Sequence, residues 1–137
     1  MAFNGYSSDD PKQFAHWADL NIKAARDTMG LDLRYDLESL RKLDAMVDAI
    51  GKPEDLGQMV MIIGSFLGET LRRVYGGRWV WDPQWRTWAV LLPKKSGGET
   101  GPFPFAKVQK RFLNGMEDSI SFFVTVTDGI VRGEIPG

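Results

Sequence analysis

Apolar residues along the first half of the chain recur at helical spacing. Phe14, Trp17, Leu20 and Ala24 fall on one face of a predicted helix that opens at Pro11, where proline suits the first helical position and Asp9 or Asp10 can cap it. Gly30 ends that helix, and Leu31–Tyr35 alternates as an extended segment would. Asp36 is a natural cap for a second helix whose stripe is Leu37, Leu40, Leu43, Val47 and Ile50, with Gly51 and Pro53 closing it. A third helix is predicted from Asp55 to Tyr75. It is nearly apolar all round until Glu69, the signature of a buried central helix. Gly64 and Gly68 share one of its faces, and each costs about 1 kcal/mol relative to alanine, so close packing of another element there is expected. Arg72 and Arg73 complement its negative C-terminal end, and Gly76-Gly77 breaks it.

The period then changes from 3.6 to 2. Arg78-Trp79-Val80-Trp81 alternates, Asp82-Pro83-Gln84 reads as a turn, and Trp85–Leu92 reads as a second strand with Trp88, Val90 and Leu92 on one face. Two strands alone are marginal in water, so the hairpin must pack on the helices; a third strand is expected from Leu31–Tyr35 or from the region near Phe103. Lys94–Gly101 reads as a mobile loop. Pro104 opens a fourth helix with Phe105, Val108 and Phe112 inward, closed by Asn114-Gly115. Glu117 or Asp118 starts a last helix through Ile120, Phe123, Val124 and Thr127, although the β-branched run within Phe122–Thr127 would also suit a strand. The expected fold is α+β: about five helices packed on a small antiparallel sheet built around the hairpin 78–92, a single sheet layer against helices. Residues 1–137 form one globular domain in this reading, with the loop 93–102 and the tail 129–137 mobile.

Composition supports an ordinary globular chain: 137 residues, 43% hydrophobic and 26% charged, with five Trp and eight Phe for an aromatic-rich core. Cysteine is absent, which excludes disulfides, thiolate zinc sites and a cysteine nucleophile, and fits a cytoplasmic location. The N-terminus lacks the basic-then-apolar pattern of a signal peptide, and the longest apolar stretch, between Leu56 and Leu67, is too short to span a bilayer. A net charge of −1 argues against a dedicated nucleic-acid binder. That charge is uneven, with 11 acids and 7 bases in residues 1–68 and 7 acids and 10 bases in residues 69–137.

Candidate chemistry is sparse. His16 is the only histidine, so no histidine triad or multi-histidine metal site can be built. Asp9, Asp10, Glu54 and Asp55 sit at helix starts, where carboxylates offset the helix dipole. Phosphate-loop, nucleophile-elbow, calcium-loop and zinc-protease motifs are all missing. Glu69 follows a long apolar run and needs a partner if buried; Arg72 and Arg73 stand at i+3 and i+4. Trp79, Trp81, Trp85 and Trp88 crowd ten residues, as core or as the lining of a groove. Lys107, Lys110, Arg111 and Asn114 form a polar stripe on the fourth helix, read as a solvated face or as a receptor for an anionic patch. Glu69, Trp79, Trp81, Lys107 and Arg111 are therefore the candidate binding residues, and neither catalytic residues, a metal site nor a cofactor is expected.

Several strings resemble a family of small bacterial domains of unknown function: Gly64-Ser65-Phe66-Leu67-Gly68-Glu69, Gly76-Gly77-Arg78-Trp79, Pro104-Phe105-Ala106-Lys107-Val108 and Asn114-Gly115-Met116-Glu117-Asp118-Ser119. The resemblance spans roughly Leu56 to Phe123. It implies a bacterial origin, an α+β fold and a helix start at Asp118-Ser119. Some small bacterial domains of this look act as toxin-immunity or accessory proteins, an analogy of fold only. The expected function is a non-catalytic module that binds another protein, with neither membrane nor nucleic acid as partner. Two alternatives stay open. One is a small-molecule or anion-binding domain holding its ligand between Glu69, Trp79 and Arg111. The other is a structural subunit in which Gly64 and Gly68 pack across a homodimer.

Overall fold

The computed structural model describes residues 11–137. Helix α1 (Lys12–Met29) starts directly after Pro11 and ends on Gly30, whose φ of 66° is the left-handed conformation a helix C-terminus favours. The expected caps Asp9 and Asp10 lie outside the described residues. The single helix predicted after Asp36 is two: α2 (Leu37–Arg41) and α3 (Leu43–Ile50). Its first two apolar steps are of three residues, and the Lys42 amide accordingly bonds Ser39 O, three residues back, at 3.1 Å. The ladder tightens there, and one helix ends as the next begins. Asp36 caps α2 as expected, its Oδ1 accepting from the Ser39 amide at 2.8 Å.

Helix α4 (Leu56–Tyr75) is capped by Asp55 and buried without interruption from Val60 to Leu71. It is the axis on which α1, α2, α5 and the sheet assemble, and its side chains are the centre of the apolar core. The glycine notch is filled from within the chain. A Cβ on Gly64 would lie 2.5 Å from Phe105 Cδ1, and one on Gly68 would lie 2.0 Å from Trp79 Cη2 and 2.8 Å from Pro104 Cγ. That face is covered by the chain's own hairpin and α5, so it is not the exposed homodimer surface considered from the sequence.

The sheet is antiparallel in the order β1 (Arg78–Asp82), β2 (Thr87–Pro93), β3 (Glu99–Thr100), with Trp79 opposite Val90, Trp81 opposite Trp88 and Leu92 opposite Thr100. Helices against this small sheet make the fold α+β, as expected. The third strand comes from just before Phe103. Leu31–Tyr35 stays irregular because its polar groups are used locally: Arg34 N donates to Ser39 Oγ at 2.7 Å, and Asp36 N to Arg34 O at 2.9 Å. Trp85 is not in β2. Asp82 Oδ1 accepts from both the Gln84 and Trp85 amides, which holds Trp85 in the turn with 65% of its surface exposed.

Helix α5 (Pro104–Asn114) is followed by a 3₁₀ turn (Gly115–Asp118) and α6 (Ile120–Val131). Ser119 Oγ accepts from the Phe122 amide at 3.2 Å, so the run after Phe122 is helical rather than extended. Its buried positions Ile120, Val124, Thr127 and Val131 keep helical spacing. The tail expected to be loose folds back. α6 runs through Gly129, the Glu134 and Ile135 amides both donate to Gly129 O, and Lys94 Nζ donates to Gly137 O at 2.6 Å. Residues 93–102 likewise carry β3 and a turn closed by Lys94 N on Gly98 O. Among the described residues no helix is long and apolar enough to cross a membrane.

Candidate functional site

Glu69 is 2% exposed and sits where α4 meets β1. Its Oε1 accepts from Arg72 Nε at 2.9 Å and from the Trp79 indole Nε1 at 3.0 Å. Its Oε2 accepts from Arg72 Nη2 at 2.7 Å and from Arg73 Nε at 2.9 Å. A carboxylate offers about four lone-pair sites, and all four are occupied. Burial pushes the carboxyl pKa up, but hydrogen bonds from Arg72, Trp79 and Arg73 outweigh it and hold the group below the usual glutamate range. Such a carboxylate is ionised and fully engaged, and has no lone pair left with which to take a proton. Arg73 is in turn stacked on the Tyr35 ring, 3.7 Å from its centroid, and the Tyr35 hydroxyl donates to Asp19. The result is a polar joint tying α1, α4, β1 and the segment before α2.

Trp79 is packed on its other sides by Phe14 and Phe105, with ring centroids 4.7 and 5.6 Å away. Trp81 is half-buried, edge-on to Trp88. The two tryptophans share a sheet face as expected, and that face is mostly core. Beside the joint a cleft of about 370 Å³ opens between Pro11, Lys12, Ala15, Glu69, Arg72, Gly77, Arg78 and Trp79.

Arg111 does not belong to this cluster. It lies seven residues along α5 from Pro104, roughly 10 Å of helix, and only 3% of it is exposed. Its Nε donates to Asp44 Oδ1 at 2.8 Å and its Nη2 to Asp48 Oδ1 at 2.6 Å. Asp44 also accepts from Ser119 Oγ and from the Ile120 and Ser121 amides, at 2.9, 3.0 and 2.9 Å. It therefore caps α6 from a different helix. Burial raises the Asp44 pKa, but these four partners together lower it below the ordinary aspartate value. A ligand held jointly by Glu69, Trp79 and Arg111 is incompatible with this arrangement, since the Arg111 guanidinium is consumed at the α3–α5–α6 junction. Lys107 is also committed, to Asp118 at 3.2 Å and over the Phe123 ring. Of the polar stripe expected on α5, Lys110 and Asn114 are exposed.

Sequence reasoning missed three large exposed apolar side chains near the α5–α6 connection. Leu113, Met116 and Phe122, 64%, 58% and 68% exposed, follow one another along the α5–α6 connection. Leu113 and Phe112 also line a hollow of about 510 Å³ with Gly51, Lys52, Pro53 and Leu56. The signal was present in the pairs Phe112-Leu113 and Phe122-Phe123, because adjacent helix residues point about 100° apart, and on a helix covered on one side only one member of such a pair tends to be left facing out. His16 is exposed beside Trp17, and among the described residues no group of side chains could hold a metal ion.

The strings that carry the family resemblance have architectural work in this fold. Gly64 and Gly68 admit Phe105 and Trp79, Glu69 receives the Trp79 indole, Lys107 and Asn114 bond Asp118, and Ser119 meets Asp44. Comparison with protein-family models, curated proteins and solved structures finds no match for the chain.

Proposed function

We propose that the chain is a non-catalytic, cytoplasmic module that binds a protein partner through the apolar corner formed by Leu113, Met116 and Phe122. The observation that carries this reading is the concentration of large exposed apolar side chains on one helix–turn–helix corner, beside the hollow between Leu56 and Phe112. Scattered exposed apolar residues need no explanation, but three large ones within ten positions of one helix–turn–helix connection are a concentration that an interaction site would account for. The buried acids and arginines support the non-catalytic part, since Glu69, Asp44 and Arg111 are saturated by structural partners. Lack of cysteine fits a reducing compartment.

The test is affinity capture from the native cell by the wild-type chain and by a Leu113→Ser/Phe122→Ser double variant. Both residues are exposed, so the variant is expected to unfold at the wild-type midpoint while losing the captured protein. Retention of the same protein by the double variant would overturn the reading. Concentration-dependent sedimentation of the purified chain, abolished by the same substitutions, would identify the partner as a second copy.

A further inference from the structure

We propose that Asn114-Gly115 is a self-modification site, at which the chain converts its own asparagine to aspartate or isoaspartate, and that Asp118 is the latch restraining it. The inference stands apart from what the α5–α6 corner binds. Asn-Gly is the step at which a backbone nitrogen most easily reaches a side-chain amide, because glycine has no Cβ to obstruct the approach. Among the described residues it occurs once, with the asparagine exposed at the C-terminus of α5. The reaction needs only water. Gly115 N attacks Asn114 Cγ and closes a cyclic imide. The Cγ–Nδ2 bond breaks, and Nδ2 leaves as ammonia with the proton that Gly115 N gives up. Water then opens the ring. Cleavage at Cγ leaves aspartate, and cleavage at the main-chain carbonyl leaves isoaspartate, whose backbone runs through the former side chain.

The folded chain opposes that attack in several ways. Asn114 Nδ2 donates to Asp118 Oδ2 at 2.7 Å, which holds the amide against the 3₁₀ turn. Gly115 N donates to Arg111 O, so the attacking nitrogen is engaged within α5. Ring closure also needs Gly115 N and Cβ nearly eclipsed about the Asn114 Cα–C bond, and a ψ of −8° holds them well apart. Opening of the Gly115–Asp118 turn releases these restraints together. None of its residues is buried, and segments with few buried contacts open at low cost. Asp118 keeps the turn shut from both sides, accepting from Asn114 through Oδ2 and from Lys107 Nζ through Oδ1 at 3.2 Å. Conversion replaces the Asn114 donor with a second carboxylate facing Asp118. Attraction becomes repulsion, so the modified turn recloses less readily than the original.

The test follows conversion of the full chain in mildly alkaline buffer made with heavy-oxygen water. Peptide mapping by mass spectrometry locates the product, which the second Asn-Gly step at Asn4-Gly5 makes necessary. Enzymatic methylation of isoaspartate counts the rearranged chain. Folded wild type is compared with the urea-unfolded chain and with folded Asp118→Ala and Asp118→Asn. The unfolded chain and Asp118→Ala should each convert Asn114 about tenfold faster than folded wild type. Asp118→Asn keeps a neutral acceptor and should fall between; it carries the comparison if Asp118→Ala does not fold. Asn114→Asp should speed hydrogen exchange at the amides of residues 115–118. Equal rates in folded wild type and the folded Asp118 variants would overturn the latch, as would unchanged exchange in Asn114→Asp. Absence of product at Asn114 in the unfolded chain would overturn the site itself.

Discussion

The Trp79 indole donates to Glu69 Oε1 at 3.0 Å while the far edge of the same ring fills the space that Gly68 leaves open one residue earlier on α4. Polar and steric halves of one contact thus fix the hairpin to the central helix. A glycine at that position removes the Cβ that would collide with the ring, and the neighbouring glutamate supplies the acceptor the buried N–H requires.

Gly68→Ala should therefore destabilise the protein even though alanine is the better helix former. A Cβ placed 2.0 Å from Trp79 Cη2 cannot be relieved by a small movement, because the ring is hemmed in by Phe14, Phe105 and Glu69. Overpacking costs about 1–3 kcal/mol and exceeds the gain of about 1 kcal/mol from helix propensity. Urea unfolding should show a lower midpoint with an unchanged slope.

Arg111→Met should cost about 3 kcal/mol, since it leaves Asp44 buried beside one fewer donor and strips Asp48 of its partner. Asp44→Ala should cost at least as much, because it also uncaps α6 at the Ile120 and Ser121 amides. Arg78→Ala, which breaks only the exposed pair with Glu99, should stay within about 0.5 kcal/mol of wild type. Parallel denaturation curves of the three variants check this order.

Asn21 is completely buried on α1, and neither of its amide atoms finds a hydrogen-bond partner among the described residues. Asn21→Leu keeps a similar volume and removes two unpaired polar atoms. It should raise stability by about 1–2 kcal/mol, seen as a higher midpoint in thermal and urea unfolding alike.

How far the fold could be read in advance follows from what hydrophobic periodicity reports. It locates apolar faces, so α4, the shared face of Trp79 and Trp81, and the inward Phe105 and Val108 were all legible. Turn and cap chemistry was legible where one side chain decides it, as at Asp36 and Asp55. Periodicity is silent about which acid meets which base across the chain. Arg111 lies three residues after Val108, on the inner side of α5, yet its charge suggested a solvated face; the acids that take it inside are on α3, more than 60 positions earlier. Trp85 failed for the opposite reason. Its apolar character suggested a strand, while Asp82, three residues back, holds the Gln84 and Trp85 amides in a turn.

Acid should unfold the protein through the same carboxylates. Glu69 and Asp44 both have folded-state pKa values below their unfolded ones, so folding is favoured by their ionised forms. Their contribution is complete above the ordinary carboxylate range, about pH 4. It is lost as pH falls through the lower, folded values. Stability measured by urea titration should thus be insensitive to these groups near neutrality and drop steeply on acidification. Tyr35 and Tyr75 behave in the reverse sense. Burial and their bonds to Asp19 and Asp128 raise both phenol pKa values, so stability should decline above about pH 10, where the unfolded chain ionises first.

The most direct test of Glu69 as an architectural joint is the unfolding free energy of Glu69→Gln, a near-isosteric change that removes only the charge and part of the acceptor capacity. The arginine heads it faces keep just over a third of their side-chain surface exposed, at 37% and 38%, so water offsets part of the loss. A drop of about 2 kcal/mol, with much of the dependence on acid pH removed, is expected. An unchanged midpoint and an unchanged acid profile would contradict it and return Glu69 to the list of candidates for chemistry.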